Sequence, residues 1–234
     1  MLCWWLQIVL GILLADLLTG MIHWFEDSYI DYCCDFPFFE MIAKDNELHH
    51  YYPRDIVSFS WWENIKTSLP FFLVFCILIW FTVSLRVWNQ YAVLFVVIGV
   101  FSIFSNVLHK YSHMRPCETN QVIQTLQSYG FLVSHEQHRK HHETSNSNYC
   151  VNTAFLNPVL DATNFWRGLE HAIFLLTGKR ARPLRKYEEY APIYTPLHKM
   201  SKQECPRKIT TDEYAMLGKR LKRFNQCKKN NLSI

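Results

Sequence analysis

The chain has 234 residues, of which 50% are hydrophobic, 16% aromatic and 19% charged, with a formal net charge of +4. Mean hydropathy is only -0.06, but the apolar residues sit in long runs between strongly polar stretches, which argues against a soluble domain with an evenly spread core. The eight cysteines form no metal or disulfide framework: Cys76 lies inside an apolar run, Cys33 and Cys34 are adjacent, and no CxxC pair occurs. Most of them are expected to be reduced thiols.

In chain order, the first apolar run is Leu2 to Ile22. It carries no Lys or Arg at its start and continues into Gly20-Met21-Ile22-His23, so it reads as an uncleaved membrane anchor and not a signal peptide. If the helix extends past the bilayer, Asp16, Gly20, His23 and Asp27 form one stripe. An ionisable group inside such a run is a functional candidate, so Asp16 is either part of the chemistry or hydrated near the interface. Asp27 can ligate a metal beside His23 or orient its ring.

The polar stretch that follows carries His49-His50. Two further spans are predicted at Leu69 to Leu85 and Tyr91 to Leu108, since a crossing helix needs roughly 17–25 apolar residues. The third ends on His109-x3-His113, spaced to share one helix face. Val122 to Val133 is too short to span and predicts an interfacial helix that brings the chain back along the membrane surface. His138, His141 and His142 then stand at i, i+3 and i+4, so that His138 meets both partners across one turn. Phe155 to Leu176 predicts a helix packed under this cluster, on which Glu170 either hydrogen-bonds a ligand or stands as a charge on the helix surface. Beyond Gly178 the chain turns basic, and from Lys199 it has ten Lys or Arg against three acidic residues. Attraction to anionic headgroups accounts for such a tail more simply than nucleic-acid binding does, and a merely solubilising tail is the other reading of its composition.

With three spans, one side of the membrane receives only Arg86 among the basic residues, and the other 23 of the 24 lie opposite. The excess of Lys and Arg marks the cytosolic side. The same topology places every histidine cluster on that side, although the charge count did not require it. The Asn231-Leu232-Ser233 sequon should then stay unglycosylated.

Neutral imidazole ligates iron, copper, zinc and nickel, one bond per ring. The eight clustered residues His23, His49, His50, His109, His113, His138, His141 and His142 therefore suggest more than one ion. Hydrolytic zinc needs only three protein ligands and a water. Removing hydrogen from an unactivated alkyl carbon, in contrast, needs an oxidant such as O2 activated at non-haem iron. A transporter would need polar groups through the membrane, but the second and third spans offer only Thr82, Ser84, Ser102, Ser105 and Asn106.

The order and spacing of these motifs resemble the membrane lipid desaturase family. The resemblance rests on Asp16-x3-Gly20-x2-His23-Trp24-x2-Asp27, His49-His50, Asn106-x2-His109-Lys110-x-Ser112-His113 and Gln137-His138-x2-His141-His142. Asn148-Tyr149-Cys150 and Phe165-Trp166-Arg167-x-Leu169-Glu170 extend it downstream, over about residues 12 to 185. The family includes animal plasmanylethanolamine desaturase, which makes plasmalogens, its bacterial relatives, and the plant desaturase that makes trans-3-hexadecenoate in phosphatidylglycerol.

The resemblance implies an all-α integral membrane protein with about three transmembrane helices, interfacial helices and a cytosolic histidine-rich site. It implies a desaturase domain over residues 1–190, followed by a basic cytosolic tail over 191–234. By matching position, the eight histidines would ligate two irons, with Asp27 as a ninth ligand or a carboxylate that orients one. O2 would be the oxidant, cytochrome b5 or ferredoxin the electron donor, a glycerophospholipid chain the substrate, and the endoplasmic reticulum membrane the location. No nucleic-acid partner is expected. Leu132-Val133-Ser134-x2-Gln137-His138 is nearer to the plant branch, yet the chain shows no transit peptide. His135 stands where other members tend to have Arg, so it is not counted as a ligand, and neither are His171 and His198.

Overall fold

The computed structural model describes residues 2–30, 37–51, 53 and 55–182. The basic tail, with Arg185, Lys186, His198 and the Asn231 sequon, lies outside the described residues. The described residues are helical and loop, with no strand among them. In chain order the helices are α1 (Trp4–Ser28), α2 (Pro37–Tyr51), α3 (Asp55–Ser58), α4 (Trp61–Thr82) and α5 (Leu85–Ile103), followed by α6 (Ser105–His113), α7 (Gln121–Ser128), α8 (His135–Thr144), α9 (Asn157–Ala162) and α10 (Phe165–Thr177).

Helices α1, α4 and α5 are long and apolar enough to cross a membrane, which makes this an integral membrane protein. Their outer faces carry large apolar side chains that no protein covers, among them Trp80 at 82% and Phe81 at 80% exposure. In water such a continuous surface would drive association; in a bilayer it is the solvated face.

The second and third spans differ in register from the expectation. Helix α4 starts at Trp61, because Ser60 and Glu63 form a reciprocal capping box ahead of the apolar run. The connection to α5 is only Val83-Ser84; Ser84 caps α5, so Arg86 lies in its first turn and not in a loop of residues 86–90. The third span is not continuous to Leu108. It ends at Ile103, and the chain turns at Phe104 before α6 carries His109 and His113 onward. Ser68–Ser105 at 3.2 Å and Asn106 donating to Thr67 at 2.7 Å fasten α6 to α4 across this break.

The interfacial helix also stops earlier than Val133. Helix α7 ends at Ser128, and Gly130, at φ +79, turns the chain in a conformation that L side chains rarely adopt. The segment from Phe155 to Leu176 is two helices, separated by Asn164 in a left-handed conformation. Of the cysteines, Cys3, Cys76 and Cys150 are free, whereas Cys117 is disulfide-bonded, an exception to the reduced thiols expected.

Helix α1 packs along α5, and Gly11 permits the approach, since a Cβ there would lie 2.8 Å from Val97. Helix α5 kinks at Tyr91, where φ and ψ leave the helical region. The buried Gln7 amide repairs this break: it donates to the Gln90 carbonyl at 3.1 Å and accepts from the Leu94 N–H at 3.3 Å, a pair that an unbroken helix would join directly. With no water in the hydrocarbon, losing this bridge leaves two backbone groups unsatisfied, a cost of about 2–4 kcal/mol. Gln7→Leu raises the apolarity of the span, yet it is predicted to lower the unfolding temperature in detergent. An unfolding temperature equal to or above wild type would contradict this role.

Candidate metal centre

All the clustered histidines lie at one end of the spans: the C-terminal end of α1, the helix α6 that follows α5, and the helices α2 and α8 that pack beside them. They form two groups. His49, His109, His113, His138 and His142 make the first, and His23, Asp27, His50 and His141 the second. Within each group one ligand atom per residue lies within 4.8 Å of every other.

Helix geometry explains this sorting. Residues four apart share a face, which sends His109 with His113 and His138 with His142 into the first group, and His23 with Asp27 into the second. Adjacent residues are rotated by about 100° about the helix axis. The neighbours His49 and His50 therefore part, one to each group, and so do His141 and His142. The expectation that His138, His141 and His142 converge on one point is corrected accordingly: His141 turns to the second group. His135 belongs to neither, its Nδ1 lying 3.2 Å from the Ser112 carbonyl.

Hydrogen bonding among the rings cannot account for the first group. An imidazole nitrogen has one in-plane position, holding either a hydrogen or a lone pair. His109 Nε2 lies 2.7 Å from His138 Nε2 and 3.1 Å from His113 Nε2, while His138 Nε2 also lies 3.0 Å from His142 Nε2. Both central nitrogens thus have two partners and one bonding direction, so at least one of these contacts is not a hydrogen bond. A cation at the common centre satisfies every lone pair at once. With metal–nitrogen bonds of about 2.1 Å, neighbouring ligand atoms stand about 3.0 Å apart and opposite ones about 4.2 Å, which this group accommodates.

Four of these rings are held neutral, as ligation requires. Burial, and then repulsion from neighbouring imidazoles, pushes His109, His113, His138 and His142 well below their ordinary pKa of 6.5.

In the second group the Asp27 carboxylate supplies negative charge. Its Oδ1 lies 2.9 Å from His50 Nε2 and accepts from Asn46 Nδ2 at 2.9 Å, and its Oδ2 lies 3.3 Å from His141 Nε2. The far nitrogens of two rings meet backbone carbonyls: His23 Nδ1 lies 3.0 Å from Tyr149 O, and His141 Nδ1 lies 2.8 Å from Ser147 O. Such bonds set the tautomer that leaves Nε2 for a metal. Tyr149 is fully buried and packs by its edge against His23; its hydroxyl, raised in pKa by burial first and then by Asp27, donates to Ser145 O at 2.7 Å.

Two readings of single residues change. Asp16 is neither hydrated nor a ligand: it is fully buried and accepts bonds from Asn152 and Thr153. Glu170 bonds Trp24 Nε1 at 3.1 Å and pairs with Arg167 at 2.7 Å, with no ligand histidine on it. Missed altogether were Asn46, the carbonyls of Ser147 and Tyr149, and Arg182, whose guanidinium donates to the Asp27 carbonyl at 3.1 Å. Asn46 was readable, since it stands four residues before His50 on α2 and reaches the same carboxylate oxygen.

The lipid desaturase domain family matches residues 12–183. A probable fatty acid desaturase of Acanthamoeba polyphaga mimivirus is 33% identical over 78% of this chain and 88% of its own length. Fatty acid desaturase 4-like 1, a chloroplastic protein of Arabidopsis thaliana, is 32% identical over 75% of the chain, which spans 60% of that relative. Mouse plasmanylethanolamine desaturase 1 is 28% identical over 76% of the chain and 67% of its own length. No solved structure matches.

The depressed histidines have a consequence for the metal-free protein. Below 6.5 the unfolded chain binds protons that the folded state refuses, so stability rises with pH through that range and levels off above it. The unfolding temperature of chelator-stripped protein is therefore predicted to hold above pH ~7 and to fall steadily below ~6.5. A flat profile down to pH ~5 would contradict burial of neutral imidazoles.

Proposed function

The chain belongs to the lipid desaturase family, and from that membership and the two ligand groups we propose that it is an O2-dependent di-iron desaturase. Its substrate is an alkyl or acyl chain of a membrane glycerophospholipid, into which it introduces a double bond. The observation that supports this reading most is the pair of adjacent, buried, nitrogen-rich groups at one end of the apolar helices. His49, His109, His113, His138 and His142 would hold one iron, and His23, Asp27, His50 and His141 the other. Iron bound there supplies the redox chemistry that couples reduction of O2 to oxidation of an unactivated C–H bond.

The overall reaction removes one hydrogen from each of two neighbouring carbons. The lipid gives up two electrons and two protons, an external donor gives two more electrons, two further protons come from solvent, and O2 leaves as two waters. The donor is cytochrome b5 or a ferredoxin. The chain's own residues bury the site away from water, and the spans present a lipid tail while its headgroup stays in the interface. The names of the relatives point to two substrates, the alkyl chain of plasmanylethanolamine, whose product is a plasmalogen, and a fatty acyl chain.

By the basic-residue asymmetry, the metal site and C-terminus face the cytosol, in the endoplasmic reticulum membrane. The desaturase unit is assigned to residues 1–190, and the basic composition of 191–234 suits attraction to anionic headgroups.

Expression in a host lacking such an enzyme, read by lipid mass spectrometry, is predicted to give phospholipids lighter by two hydrogens. His113→Ala and His141→Ala should abolish the product. Species heavier by one oxygen would instead make the chain a hydroxylase, and an unchanged lipidome with fully metallated protein would contradict the proposal.

A further inference from the structure

Between α8 and α9 the chain runs without helix across the face of α1, starting from left-handed backbone at Ser145 and Asn148. This segment offers two carbonyls to the second ligand group, Ser147 O to His141 Nδ1 and Tyr149 O to His23 Nδ1. A carbonyl only accepts, so each contact places the ring hydrogen on Nδ1 and the lone pair on Nε2, toward the group. The position of the segment thus sets the aim of two ligands.

The segment's own anchor is Asp16. Its Oδ1 accepts from the backbone N–H of Asn152 at 3.0 Å and of Thr153 at 3.1 Å, and its Oδ2 accepts from the Thr153 hydroxyl at 2.6 Å. Asn157 brackets Cys150, accepting from its N–H at 3.0 Å and donating to its carbonyl at 2.9 Å. Gly20 leaves the room for this crossing, since a Cβ there would lie 2.7 Å from the Cys150 sulfur. Asp16 stands about 10 Å along α1 from His23, two helical turns away, and cannot share a metal with it. A carboxylate this deep in an apolar helix is costly unless such donors satisfy it.

We propose that Asp16 is a positioning residue for the His23, Asp27, His50 and His141 site, acting through the backbone of residues 147–153. The inference rests on the metal-centre reading above. Only two residues separate Tyr149 from Asn152, so slack at the anchor passes directly to the carbonyl on His23.

The test uses the full-length protein in detergent, loaded with ferrous iron and freed of excess, with iron counted per chain and its release to a chelator followed. Wild type is expected to hold about two irons, and Asp16→Ala about one, which His113→Ala in the same background removes. Asp16→Asn should retain both, because its Oδ1 keeps the backbone bonds and its amide can donate to the Thr153 hydroxyl. Wild type without iron overturns the metal-centre reading and this inference with it. Wild type and Asp16→Ala both holding two, with equal release, overturns this inference alone, as does Asp16→Asn behaving like Asp16→Ala. Should Asp16→Ala fail to fold, Thr153→Val decides. Faster release of one iron by about fivefold, the worth of one hydrogen bond, with the other unchanged, supports the proposal. Equal acceleration of both, or none, overturns it.

Discussion

An imidazole nitrogen offers one bond in one direction, and that constraint organises the rest of this molecule. Nitrogens of α6 and α8 are brought closer together than their own hydrogen bonds can satisfy, in rings that are buried and held neutral, and rings from α1 and α2 close the two groups around them. Such an arrangement is costly as a resting core. It becomes favourable when a cation takes the lone pairs, and the fold around it serves to hold the rings at that distance. The turn at Phe104, the capping box that starts α8 at Ser134 and the α1 stripe all deliver side chains to this one place.

The two groups are built differently. Five histidines make the first, whereas the second contains a carboxylate and two rings oriented by backbone carbonyls. The adjacent pairs His49-His50 and His141-His142 stitch the groups together, because each pair sends one ring to either side of a shared wall. His50 and His142 meet there with ring centres 4.7 Å apart. A structural change at one group therefore reaches the other through two short helices, which suits chemistry that needs both centres to act together.

Much of this was legible in the sequence, and the reasons are physical. Apolar run length reads out bilayer thickness, so the existence of three spans followed directly, and spacing of three and four reads out a helix face. The resemblance to lipid desaturases rested on combined motif order, and the comparisons bear it out. What escaped depended on tertiary contact. Span ends shifted because caps at Ser60 and Ser84, not hydropathy, decide where a helix starts. Asp16 looked like a functional charge or a hydrated one, since nothing in its own segment announces that residues 152 and 153 will cross it. The carbonyls of Ser147 and Tyr149 carry no residue-type signal at all, and Gln7 reads as an incidental polar residue until the kink of α5 lies against it.

Everything proposed for this chain depends on two metal ions sitting between the buried rings. The most direct measurement is elemental analysis with Mössbauer spectroscopy of full-length protein purified from an iron-replete host. The account predicts about two irons per chain in two inequivalent environments, one all-nitrogen and one with a carboxylate oxygen. Protein that folds and binds lipid with no metal, or with one zinc and no iron, would contradict it.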